Sequence, residues 1–118
     1  MMKNKGDGMK EIYNLVDKLC NDLREEHLKQ FPSLKDYHWN YEVGRKYLKV
    51  IQNNEYQRSV WGFINLKEFT TKKGVDFKVG DVLMAAGWKT PALNKPRGNI
   101  LEGYEIFGSR KYGPDYLI

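Results

Sequence analysis

Cys20 is the only cysteine in the chain, which excludes a disulfide framework at once. Histidine is nearly as scarce. His27 and His38 have no ligand-like spacing, and with one thiol they make no zinc motif, so neither a metal nor a cofactor is expected. No apolar run approaches the length of about 18 residues that marks a membrane-spanning helix, so no membrane partner is expected either. Neither a Walker loop nor a dinucleotide fingerprint is present. The first eight residues are charged and glycine-containing, with no apolar segment behind them, so they read as a flexible lead-in rather than a signal peptide. A lone thiol without an export signal points to a reducing cytoplasm. The sequence also lacks internal repeats and low-complexity segments.

What remains is one domain's worth of chain, 118 residues with 41% hydrophobic and 30% charged residues. Aromatics reach 14%, too many for a disordered tail. The net charge of +5 is unevenly spread. Residues 1–37 hold seven basic and seven acidic residues, so the whole excess falls on 38–118, along with thirteen aromatics.

The neutral part reads as a helix over about 9–30. Ile12, Leu15, Val16, Leu19, Cys20 and Leu23 fall on one stripe at 100° per residue, and His27 continues it. Asp7 or Gly8 is the expected cap region, and Pro32 stops the helix because the residue before a proline is pushed out of the α region. A one-sided helix must pack on something, and the remainder reads as antiparallel β over about 39–118. Tyr41 to Ile51 and Tyr56 to Asn65 are runs rich in β-branched and aromatic residues. An Asn53-Asn54 turn would set Lys49 opposite Arg58 and Tyr47 opposite Val60. Leu48, Val50, Trp61 and Phe63 would then form the face given to the helix. Val82 to Ala86 reads as a short strand, Ala92 to Asn99 as a loop, and Tyr104 to Phe107 as a last strand. The expected fold is α+β: one domain over 9–118, with an amphipathic helix on a small antiparallel sheet of three to four strands.

Nothing here reads as a catalytic constellation. Cys20 and His27 lie on the buried stripe, Glu25 and Glu26 point apart on a helix, and Asp76 and Asp81 flank a turn. The basic residues say more. Between Gly87 and Asn99 lie Trp88, Lys89, Lys95 and Arg97 with no acid among them, stiffened by Pro91 and Pro96. On the hairpin, Arg45, Lys49 and Arg58 interleave with Tyr47 and Tyr56. Cations between aromatics suit phosphate contact and base stacking, so these nine residues are the expected nucleic-acid-binding set, for DNA or RNA. The opposing expectations are solvated cations around a core Trp88, or a hairpin face that is a second side of the core.

Several segments, in order, resemble small uncharacterised proteins encoded by tailed bacteriophages and prophages. They are Gly44-Arg45-Lys46-Tyr47, Val60-Trp61-Gly62-Phe63-Ile64, Gly80-Asp81-Val82-Leu83, Ala86-Gly87-Trp88-Lys89-Thr90-Pro91-Ala92, Arg97-Gly98-Asn99 and Tyr112-Gly113-Pro114-Asp115-Tyr116-Leu117. The resemblance covers about residues 41–117 and implies an accessory protein acting in the cytoplasm of an infected bacterium. It carries no activity and no site residues. The expected function is therefore non-catalytic nucleic-acid binding. The alternative is a protein-binding inhibitor or modulator of a host enzyme or defence system, with the same aromatics as anchors. A third option is a minor assembly protein that associates with itself.

Overall fold

The computed structural model describes residues 5–33 and 36–104. Its elements are helix α1 (Lys5–Gln30) and strands β1 (His38–Val43), β2 (Tyr47–Asn53), β3 (Arg58–Asn65), β4 (Phe69–Thr70), β5 (Asp76–Phe77) and β6 (Val82–Leu83), followed by a 3-10 turn at Ile100–Glu102. The main sheet has the order β1-β2-β3-β6, antiparallel throughout, and β4 and β5 form a separate ribbon. The architecture is α+β, as expected.

The helical stripe behaves as its periodicity requires. Ile12, Val16, Leu19, Cys20 and Leu23 are buried, and they pack on Trp39, Leu48, Val50, Trp61, Ile64, Val82 and Ile100. Each fully buried aliphatic side chain contributes about 1.5–3 kcal/mol. His27 is buried at the end of the stripe, stacked 4.3 Å from Tyr37 and edge-on to Trp39. The Phe31 N–H donates to the His27 carbonyl at 2.8 Å, and Pro32 permits no further turn. The helix opens at Lys5 rather than Met9, so the latter part of the expected lead-in, with Asp7 and Gly8, belongs to its first turns.

The sheet departs from expectation in three places. First, the run from Tyr41 to Ile51 is not one strand. It reverses at Gly44-Arg45-Lys46, where the Gly44 N–H donates to the Tyr47 carbonyl at 2.9 Å. Second, Asn53 is not in the turn to β3 but pairs with Arg58 inside the ladder. The loop is Asn54 to Gln57, closed by Asn54 Oδ1, which accepts from the Tyr56 and Gln57 amides at 2.9 Å each. Lys49 consequently faces Phe63, not Arg58, and Tyr47 faces Asn65, not Val60. Third, the register shifts between Val50 and Ile51: Val50 pairs with Gly62 and Ile51 with Val60, leaving Trp61 as the extra residue of a bulge. The bulge flips the alternation, so Trp61 and Ile64 face the helix while Phe63 faces away.

That second face is not an open platform. Phe63, Phe77 and Leu83 form a smaller core there, with Tyr47, Val60, Phe69, Val75 and Ala85 against it. Phe69 and Phe77 stack across the ribbon at 5.0 Å. Val82–Leu83 alone is strand in the segment expected to extend to Ala86, and an isolated Ala85–Pro91 bridge follows it. Gly80, at φ 91°, makes the tight turn before β6; a Cβ there would come within 2.9 Å of Asn99 Oδ1. Tyr104 is not in a strand, and the rest of the expected last strand lies outside the described residues.

Candidate functional site

The Gly44-Arg45-Lys46 turn, the middle of β2 and the loop between Ala85 and Pro91 meet on the rim of the second face. They enclose an open groove of about 260 Å3. Arg45, Lys46, Lys49 and Lys89 line it with Tyr47 and Phe63, and among the described residues Glu42 is its only acid. Three separate segments thus bring four cations to one hollow. Lys46 was not in the expected set; its place beside Arg45 in a charged turn was the available signal.

The Ala85–Pro91 bridge closes the loop that holds Trp88, and the Ala86 and Gly87 amides both donate to the Thr90 carbonyl, at 2.9 and 3.1 Å. The loop lays Trp88 over β2 and β3. Lys49 Nζ sits 4.3 Å from the indole centroid and the Arg58 guanidinium 5.5 Å. Both distances are within cation–π range, so one ring meets the two charges that the expected register sets opposite each other. Trp88 remains 42% exposed, so it is not a core anchor. Arg58 is further fixed by Glu42 at 3.1 Å and by Asn53 Oδ1 at 3.2 Å.

Three of the other expected residues are not part of this cluster. Tyr56 stands 88% exposed in the β2–β3 loop. Lys95 is exposed on the 92–99 loop. Arg97 is only 9% exposed and donates to Asn94 Oδ1 at 3.1 Å, so it braces its own loop and is withdrawn as a phosphate contact. Tyr47 is a wall of the groove rather than a free stacking surface. Its ring meets Phe63 and Phe69 edge-on, and burial pushes its phenol pKa up.

A second cleft, of about 440 Å3, follows the seam between α1 and β1 and is lined by Asp17, Cys20, Asn21, Trp39, Asn40 and Tyr41. Burial pushes the Cys20 thiol up to about 12, and the Asp17 charge adds to the shift. At pH 8 this leaves about a thousandfold fewer thiolates than an ordinary cysteine has. Cys20 should therefore react with a disulfide reagent about a thousandfold more slowly in the folded protein than in urea, and comparable rates would show the thiol to be accessible. The same shift predicts alkaline destabilisation. The unfolded thiol ionises from about pH 9 while the folded one stays neutral, so its contribution is complete below pH 9 and disappears toward pH 12. Burial also raises the Tyr41 and Tyr47 phenols, which act in the same direction.

Among the described residues, no three or more His, Cys, Asp or Glu side chains are grouped to hold a metal ion. No described helix is long and apolar enough to cross a membrane. Neither a curated protein nor a solved structure matches the chain. The helix, both sheets and the loop carrying Trp88 fall within residues 2–110, the span matched by the model of a family of unknown function, DUF7717, and the chain belongs to that family.

Proposed function

We propose that the chain binds nucleic acid, DNA or RNA, as a non-catalytic accessory protein, through the groove of Arg45, Lys46, Lys49 and Lys89 and the adjoining Trp88. The observation that supports this reading is the convergence of those four cations on one hollow beside an exposed indole. Like charges are costly to collect on a protein surface, and a row of phosphates relieves that cost while releasing its own counterions. Glu42, the acid lining the groove among the described residues, is held 3.1 Å from Arg58, which blunts its repulsion of phosphate. The phage setting, inside an infected bacterium, comes from the sequence resemblance over residues 41–117.

Fluorescence anisotropy with labelled DNA and RNA oligonucleotides tests the reading. If each groove cation neutralises one phosphate of a single strand, affinity should fall about 50-fold between 50 and 200 mM salt. Tryptophan emission offers a second readout, because Trp39 and Trp61 are 6% and 2% exposed and only Trp88 is open to a ligand. Absence of binding to every oligonucleotide at low salt would end the proposal. A single host protein captured from lysate and resistant to nuclease would favour the competing reading, a modulator of a host enzyme or defence system.

A further inference from the structure

We infer that the ligand of this surface is single-stranded, with one unpaired base stacked on Trp88 and the adjoining phosphate taken by Lys49. This rests on the nucleic-acid reading above and specifies the strand state that the site accepts. The first support is the preparation of the indole. Trp88 projects from a closed loop and is braced by Lys49 at 4.3 Å and Arg58 at 5.5 Å. The loop closure and Arg58 hold that orientation before and after a ligand arrives, so binding loses little side-chain freedom. An aromatic ring exposed in this way can stack only on a base whose π face is free, and a duplex keeps those faces inside its own stack.

The second support is shape. The groove is concave and, at about 260 Å3, lies below the roughly 300–1,000 Å3 of pockets that take a whole drug-sized ligand. A single strand can lie across it with a phosphate seated in the hollow. The base edges of duplex DNA are read by the opposite shape, a helix or ribbon that projects into a groove about 12 Å wide. The four cations line a hollow and do not ride on such a projection.

The third support is Lys49, which belongs to both features. It lines the groove and also sits over the indole. A base arriving on Trp88 competes with the ammonium for the ring, while a phosphate oxygen offers that ammonium a stronger, charge-assisted partner. Lys49 therefore passes from ring to phosphate as the base stacks. Arg58, tied to Glu42 and Asn53, keeps its place.

The test compares fluorescein-labelled strands of about 12 nucleotides, DNA and RNA, with a blunt duplex of the same sequence at one low salt concentration. The single strand should bind about tenfold or more tightly than the duplex and should quench the indole emission. Trp88→Ala should weaken single-strand binding about tenfold more than it weakens duplex binding, and Trp88→Phe should recover part of the loss. The side chain is exposed, and circular dichroism checks that both variants are folded. A duplex bound as tightly as the single strand, or a Trp88→Ala loss that is equal for both, overturns the inference while leaving nucleic-acid binding in place. No binding of either form to the unmodified chain overturns the nucleic-acid reading and this inference with it.

Discussion

Asp81→Ala is expected to cost about 2–3 kcal/mol of stability, a sizeable part of the roughly 5–15 kcal/mol a domain of this size holds. Asp81 is buried, and its carboxylate accepts from the Lys78 amide at 2.7 Å and from Asn99 Nδ2 at 2.9 Å. Asn99 in turn donates to the Val79 carbonyl at 3.1 Å and accepts from the Leu101 amide at 2.8 Å. The Asp81 carbonyl accepts from the Asn65 amide at 2.8 Å, so this residue joins the end of β3, the entry to β6 and the 3-10 turn. Alanine would remove the acceptor of the Lys78 amide and one of the two acceptors of Asn99 Nδ2, which keeps the Val79 carbonyl; both lost bonds are half-buried, and a hydrogen bond to a charged group is worth about 1.5–3 kcal/mol. Asp81→Asn, which can keep part of the network, should cost less. Urea denaturation measures both. A loss under about 1 kcal/mol for Asp81→Ala would show that the network is peripheral to stability. The same variant should shift the Trp88 emission, because Asn99 anchors the far end of the segment that carries the indole loop.

Reversing two groove charges should have the largest functional effect. Lys49→Glu combined with Lys89→Glu is expected to weaken oligonucleotide binding more than about 100-fold at low salt, through lost counterion release and new repulsion of phosphate. Lys49→Glu also removes the ammonium lying 4.3 Å from Trp88. Lys49 is half-buried at the rim and Lys89 is exposed, so the fold should be retained. Lys95→Glu is the control, with half the change in net charge. It changes net charge in the same direction but lies outside the groove, and its effect should be several-fold at most. If the double reversal binds within about threefold of the unmodified chain at low salt, the groove is not the contact surface.

The helix was legible because its information is local. Ile12, Val16, Leu19 and Leu23 recur at helical spacing, and Pro32 stops the element by sterics alone. The reversal at Gly44-Arg45-Lys46 was hidden because a glycine and two cations inside an alternating run read equally well as solvent-facing strand. The Asn53-Asn54 pair suggested a two-residue turn, yet Asn53 is buried and donates to Asn40 Oδ1 at 3.0 Å across β1. Only a third strand could supply that partner. The bulge at Trp61 then reversed the facing of Phe63 and Ile64, which no period-two reading anticipates.

The candidate site follows the same division. Residue type alone singled out Arg45, Lys49, Arg58, Trp88 and Lys89, since cations beside aromatics are visible in any order of chain. Type alone could not separate them from Arg97, whose burial depends on how the 92–99 loop folds back. Periodicity and composition act over a few residues, and they were enough for a neutral amphipathic helix, a basic aromatic β region and an α+β fold. The tertiary structure alone decided that both faces of the sheet are covered, and which cations share a hollow with Trp88. Those outcomes depend on one bulge, one side-chain-closed loop and a ribbon packed across the sheet, and each is set by contacts between residues far apart in the chain.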